Sequence, residues 1–365
     1  MRLIGMTNPG VKGKTHSTKL VDYAKKKHRH LLFQFAFLLL IFSFCLFEPG
    51  FPADVSAEPS IRVLLMDGKT LKVPTREDRL TRLGSNNGEV LLGGIKYSGE
   101  IEVWKSDSGL YVINDIPLEE YIKGVVSAEV GRSWDLEAMK AQAVVARTYA
   151  VYQKLNSPAG LPYHLTSTVL DQVYKGSNIS PNVAKAVDET RGEILVYGGK
   201  PIAAFYHSTS GGITEDPAEV FGKEFPYLKP VKTNCELSPY NMWEKIIPAA
   251  EIEKAFELQG FKDIAIDSRT VSGRAKEVRI IHDNGSISVM ATELRKRLGW
   301  DKLPSTLIES ISINGGSVVF EGKGYGHGVG MCQWSALQMA REGKTYRQIL
   351  QYFYRGATIK DYEDR

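Results

Sequence analysis

Residues 114–155 read NDIPLEEYIKGVVSAEVGRSWDLEAMKAQAVVARTYAVYQKL, and this stretch decides the fold class. Pro117 lacks an N–H and suits the first turn of a helix, where that donor would have no partner. Asn114 or Asp115 can cap this helix, and Glu119 and Glu120 in its first turn complement the helix dipole. The helix is short, because Gly131 follows Glu129 and Val130. A second helix opens after Ser133-Trp134, with Asp135 and Glu137 early in it. Leu136, Met139, Ala143, Val144, Ala146 and Ala150 recur with a helical period and carry it to about Leu155.

Upstream of these helices the signals change to strands. Residues 61–66 and 71–73 flank Asp67-Gly68, and residues 101–104 and 110–113 flank a turn at 106–109. Residues 75–89 between them are polar and irregular. Downstream, Ser180-Pro181 marks a third helix that ends near Arg191-Gly192. Residues 194–197 and 201–207 read as a hairpin around Gly198-Gly199. Helices are expected over 251–258 and 293–298, stopped by Gly260 and Gly299, with strands near 278–281 and 317–320. Thr345-x-x-Gln348 is a capping-box pattern for a last helix that stops before Gly356. Hairpins and helices without regular βαβ alternation predict an α+β fold.

The charge is unevenly distributed. The 365 residues carry 46 Lys or Arg and 42 Asp or Glu, a net +4. Residues 1–30 hold eight of the basic residues against Asp22 alone, so they carry +7 and leave −3 for the rest. The body therefore has no basic excess with which to meet nucleic acid. After the basic segment, residues 31–47 are apolar except for Gln34 and Ser43, and Glu48-Pro49-Gly50 ends the run. A basic flank before such a run is an export signal. It serves either as an uncleaved membrane anchor or as a leader cut after Val55-Ser56-Ala57. Residues 1–57 are thus one region and 58–365 the exported domain, strand-rich to about residue 113. Phe44 before Cys45 argues against lipidation there. Only Cys235 and Cys332 remain, so at most one disulfide is possible, and no spacing suggests zinc.

Several residues could carry chemistry. Glu129 stands at a helix C-terminus among Val125, Val126 and Val130, where apolar neighbours raise a carboxyl pKa as a general acid requires; the plain alternative is a surface Glu at a helix end. Arg147 is the one charge in AQAVVARTYAVY (141–152), so it must meet either a structural carboxylate or a ligand. His207 precedes Ser208-Thr209-Ser210-Gly211-Gly212, a tight loop suited to face a substrate or simply to cap itself. In EGKGYGHGVGMCQWSA (321–336), glycine holds every even position from 322 to 330, interleaved with Lys323, Tyr325 and His327. That many glycines imply a close approach of backbone or ligand. Gln333-Trp334 opens the helix that follows, and Cys332 near His327 raises a thiol nucleophile as a further option.

Taken together, these segments resemble the stage II sporulation protein D family of lytic transglycosylases and amidase enhancers of bacterial cell walls. The matching pieces are PLEEY (117–121) leading to Ser127-Ala128-Glu129, LEAMKAQAVVARTY (136–149), DQVY (171–174), AFYHSTSGGIT (204–214) and GKGYGHGVGMCQW (322–334). They stand in the family's order and cover roughly residues 90–357. The resemblance implies two packed lobes around a glycan groove. It implies that Glu129 is the catalytic acid and that Arg147, Tyr174, His207, Ser208, Ser210, Lys323, Tyr325, His327 and Gln333 bind substrate. Peptidoglycan strands stripped of their peptides are the implied substrate, and a cell-wall amidase is the implied partner. One Glu could then serve as acid and base in turn, because the muramyl C6 hydroxyl replaces water and leaves a 1,6-anhydro end. The rival is a module that enhances an amidase without cutting sugar. Two departures stand out. The family often has Ala-Glu-Met-Pro where this chain has Ala128-Glu129-Val130-Gly131. Some members bind zinc through Cys and His before the Gln-Val-Tyr block, whereas residues 165–170 here contain no Cys and only His164 lies nearby, so no metal or other cofactor is expected.

Overall fold

The computed structural model describes residues 58–66, 79–83, 89–106, 109–131 and 133–363. The basic segment, the apolar run 31–47 and the Asp67-Gly68 turn lie outside the described residues, as does the strand expected at 71–73. Among the described residues no helix is long and apolar enough to cross a membrane.

β1 (Ser60–Met66), β2 (Arg79–Leu83), β3 (Glu89–Leu92), β4 (Ile95–Ser98), β5 (Glu100–Ser106) and β6 (Gly109–Pro117) make up the strand-rich start. β5 and β6 form the expected hairpin, pairing Ser106 with Gly109 and Glu100 with Asp115. β2 lies in the stretch read as irregular. Its basic and polar residues carry no clear alternation, and it is an edge strand paired to β5. β6 runs through to Pro117, so neither Asn114 nor Asp115 caps the helix that follows. Asn114 donates instead to the carbonyls of Ser98 and Glu100, and Asp115 accepts from Arg62 at 2.8 Å.

α1 (Leu118–Glu129) and α2 (Leu136–Asn156) pack against this sheet. Ile61, Val63, Ile101, Ile116, Ile122, Val125 and Met139 are fully or almost fully buried between them. β7 (Leu165–Thr166) adds a parallel edge to β1. α3 (Pro181–Asp188) begins at Ser180, whose side chain accepts from Val183 N–H. β8 (Glu193–Tyr197) turns through Gly198-Gly199 into β9 (Lys200–Pro201). There the expected hairpin stops. The chain leaves the sheet, and β10 (Tyr206–His207) pairs in parallel with a strand far along the sequence.

α4 (Pro217–Phe221) is one short turn, followed by β11 (Trp243–Pro248) and α5 (Ala249–Phe256). α5 ends one turn before Gly260, with Glu257 in the left-handed region at φ 56°. β12 (Asp263–Arg269), β13 (Ala275–His282) and β14 (Gly285–Met290) form an antiparallel sheet covered by α6 (Ala291–Leu298). β15 (Ile308–Asn314) and β16 (Ser317–Gly322) pair with each other, and β16 also pairs with β11. β17 (Met331–Cys332) is the distant partner of β10 and leads into α7 (Gln333–Arg341). α8 (Tyr346–Phe353) carries the full capping box of Thr345 and Gln348, and β18 (Thr358–Asp361) returns to β8. Small antiparallel sheets and helices segregated along the chain make the fold α+β.

Candidate active site

A cavity of about 540 Å³ lies where α1 ends, where β10 pairs with β17 and where α7 begins. Glu129 is the last residue of α1, and Val130 after it is already extended. Its Oε1 accepts from Val173 N–H at 2.9 Å and from the Tyr206 hydroxyl at 3.1 Å. Its Oε2 accepts, among the described residues, from Gln333 Nε2 alone, at 3.2 Å. All three donors are neutral. Burial raises the carboxyl pKa above its ordinary value, although Val173, Gln333 and Tyr206 each pull it down. The helix C-terminus also disfavours a negative charge there. Oε2, with one donor against two, is the oxygen with room for a proton.

Every residue of the 171–174 block has a partner that fixes this arrangement. Asp171 accepts from the Tyr149 hydroxyl and Gln153 on Oδ1, and from Thr166 N–H and Oγ on Oδ2. Gln172 Nε2 reaches the Tyr206 hydroxyl, and its Oε1 accepts from Tyr121. Val173 presents its N–H to Glu129. Tyr174 donates to Asn114 Oδ1 at 3.1 Å. The block approaches α1 closely because residue 124 is glycine. A Cβ there would meet the Tyr174 ring at 2.4 Å and the Gly176 carbonyl at 2.7 Å.

The glycine run has the same kind of cause. Gly330 sits at φ 75°, and a Cβ on it would lie 1.9 Å from the Phe205 carbonyl oxygen. Only bare backbone allows 329–332 to lie along 205–208. Tyr325 N–H and Thr209 N–H exchange hydrogen bonds with each other's carbonyls, at 2.8 and 3.0 Å. The run therefore carries Tyr325, His327 and Gln333 to the cavity beside His207 and Ser208.

His207 is almost fully buried, and its Nδ1 lies 3.1 Å from the Val329 carbonyl, which accepts. The proton is thereby placed on Nδ1, leaving Nε2 a bare acceptor without a partner. Burial, then His327 and Arg274, push its pKa well below the usual histidine value. Burial and Arg295 likewise bring His327 down to about 3, and its Nδ1 accepts from Val329 N–H. Both imidazoles are neutral, and their ring centres are 5.6 Å apart. The Tyr325 hydroxyl donates to Asp301 at 2.9 Å, and its ring lies 4.5 Å from that of Tyr240.

Four expected ligand contacts lie elsewhere. Arg147 has no exposed surface. Its Nε and Nη2 grip both oxygens of Glu119 at 2.8 and 2.7 Å, and Nη1 reaches the Glu193 carbonyl. It is a structural ion pair, because an apolar helix face can hold a guanidinium only where a carboxylate and carbonyls occupy it. Tyr174 is buried against Tyr97 and Tyr121. Ser210 is buried, and its carbonyl accepts from Arg274 at 2.8 Å. Lys323 pairs with Glu309 at 2.6 Å and does not line the cavity. The cavity instead takes in Tyr149, Lys175, Tyr206, Phe221 and Tyr240. Tyr206 was within reach of sequence reasoning, being part of the AFYHSTSGGIT block beside His207.

The residues present do not fit a zinc site before Gln172. His164 Nδ1 accepts from the Arg62 backbone N–H at 3.0 Å. Among the described residues no cluster of three His, Cys, Asp or Glu side chains could hold a metal. The Cys332 thiol is buried and lies 3.5 Å from that of Cys235, and neither cysteine lines the cavity.

Comparison with known proteins places these features in a family. The stage II sporulation protein profile matches residues 106–197, and a domain of unknown function (DUF8618) matches residues 222–330. An uncharacterised protein of Brachyspira hyodysenteriae is 36% identical over 282 residues, 74% of each chain. The stage II sporulation protein D of Bacillus subtilis is 34% identical over 68% of this chain and 76% of its own length. The amidase enhancer of Bacillus subtilis is 30% identical over 66% of this chain, which spans 40% of that longer protein. With a profile match through α1 and α2 and relatives aligned over most of their length, the chain belongs to the stage II sporulation protein D family, a family linked to the cell wall.

Proposed function

We propose that the protein is a peptidoglycan lytic transglycosylase that cleaves the muramyl–glucosaminyl bond of peptide-stripped strands to 1,6-anhydro ends. The observation that carries this reading is that Glu129 is the cavity carboxyl with an oxygen left free to take a proton. The cavity's other carboxylate, Asp171, already accepts four hydrogen bonds from its own surroundings. Hydrolytic glycosidases generally need two working carboxyl groups. A site with one suits a reaction whose nucleophile is part of the substrate. Protonated Glu129 donates from Oε2 to the leaving glycosidic oxygen. The same carboxylate then accepts the proton of the C6 hydroxyl as that oxygen closes on C1. Tyr206 and Val173 hold Oε1 still while Oε2 cycles.

Peptide removal leaves a free lactyl carboxylate on each muramyl unit. Lys175 lines the cavity with an exposed ammonium suited to that charge. A second hollow of about 380 Å³ adjoins the first through Leu170, Phe221, Tyr325 and His327, and gives the strand room to continue. Export through the basic N-terminus and the apolar run would place the domain outside the cytoplasm, anchored through residues 31–47 or released. Mass spectrometry of stripped strands incubated with the protein should reveal anhydro-muramyl products, and Glu129→Gln should abolish them. Full activity in that variant would sink the assignment. Lys175→Gln should raise KM for stripped strands several-fold and leave kcat within about twofold, as loss of a ground-state contact does.

The Bacillus subtilis relative named amidase enhancer favours a second reading, in which the same cavity grips the wall or an amidase without cutting sugar. Stimulation of an amidase that survives Glu129→Gln, without anhydro product, would select it.

A further inference from the structure

We propose that Cys235 and Cys332 are a disulfide-forming pair that fastens the 233–241 loop to β17. Their sulfurs are 3.5 Å apart in the reduced chain, so closure to bonding distance needs a shift of roughly 1.5 Å. Both side chains are buried, at 4% and 0% exposure, and each is held by other groups on the same segments. Cys332 Sγ accepts from Ser210 N–H and faces the Ser208 carbonyl. Cys235 Sγ lies against Thr233 and Ser210 Oγ. The buried Arg274 guanidinium, with Nε and Nη1 unpartnered, interacts electrostatically with both thiols. A cation beside a thiol pair favours a thiolate, the attacking form in disulfide exchange. The hydrogen bond from Cys332 also holds the Cys235 thiol below its usual pKa, while burial pushes that of Cys332 up.

The chemistry balances with an external disulfide as oxidant. The Cys235 thiolate attacks one sulfur of that disulfide and expels the first thiolate. Cys332 then loses its proton and attacks Cys235 Sγ, which expels the second. Two protein thiols become one bond, and the oxidant leaves as two reduced thiols. The bond would act on the site through both anchors. Cys332 directly precedes Gln333, which donates to Glu129. The loop that starts near Cys235 carries Tyr240 to the cavity, and the Tyr240 carbonyl accepts from Gly324 N–H at 2.8 Å. Oxidation would thus pin two walls of the cavity that are 97 residues apart in sequence. The inference requires an oxidising location but not the transglycosylase reading.

The test uses the full chain, folded and also refolded from denaturant, in oxidised and reduced glutathione. Free thiols are blocked with maleimide, and a non-reducing digest is mapped by mass spectrometry. The expected result is a linked Cys235–Cys332 peptide with Cys45 blocked. The oxidised protein should also melt roughly 5–10 °C above the dithiothreitol-treated form. That difference should vanish in Cys235→Ser and in Cys332→Ser. Both cysteines blocked after refolding in oxidised glutathione, or either one linked to Cys45, would overturn the proposal, whatever the protein does to glycan.

Discussion

The two ends of α1 each carry a glutamate, and the chain treats them in opposite ways. Glu119, in the first turn, is buried and meets Arg147 through both oxygens, with Gly192 N–H as a further donor. Glu129, in the last turn, meets three neutral donors and opens on a cavity. The helix dipole favours charge at the first position and opposes it at the second. Identical side chains ten residues apart therefore sit in opposite settings: one is locked in an ion pair, and the other is a carboxyl with a raised pKa beside a cavity.

Four outcomes would sharpen or break that contrast. The largest is on turnover, where Glu129→Gln should lower kcat on stripped glycan by about 10²-fold or more, with the melting temperature preserved. Next comes Arg147→Met, which leaves Glu119 buried without a cation and should cost about 3–5 kcal/mol in chemical denaturation. Replacing both members, in Arg147→Met with Glu119→Leu, should restore most of that loss; if it does not, the pair has a role beyond holding α1. A smaller effect follows Gln333→Leu, which removes the one donor that the described residues give Glu129 Oε2. The descending limb of the pH–activity profile should then move to higher pH, because a bond that stabilised the carboxylate is gone.

The smallest effect is on pH-dependent stability. Burial raises the Glu129 pKa in the fold, so the folded chain retains a proton that the unfolded chain has lost. The stabilisation from this group is complete below the unfolded value, and it is lost as pH rises through the folded one. Wild type should therefore lose melting temperature relative to Glu129→Gln as pH rises through that window. A flat difference would mean that burial does not hold the proton.

Local signals identified much of the architecture. Pro117 with its acidic first turn, the Ser180 cap and the Thr345–Gln348 box each mark a helix end that the structure contains. They succeeded because a cap is decided within four residues. The hairpin expected from 194–197 and 201–207 forms at its turn but stops at Pro201, because the partner of Tyr206-His207 is Met331-Cys332, and nothing near residue 206 encodes a parallel partner so distant. Arg147 shows the same limit. Its need for a carboxylate or a ligand was legible because residues 141–152 hold no other charge, but only tertiary packing chooses Glu119. Glu129 could be singled out from its apolar neighbours and its helix end. Its partners could not, because a backbone N–H at Val173 leaves no mark on sequence.

The parallel contact of β10 with β17 is only two residues long on each side, yet it sets a condition on timing. Gln333 reaches Glu129 across 204 residues of chain. A nascent protein that has emerged through α1 and α2, or even through β16, has the carboxyl but neither Gln333 nor the strand that seats Tyr206. The hydrogen-bonded setting of Glu129 is thus incomplete until nearly the whole polypeptide has been made.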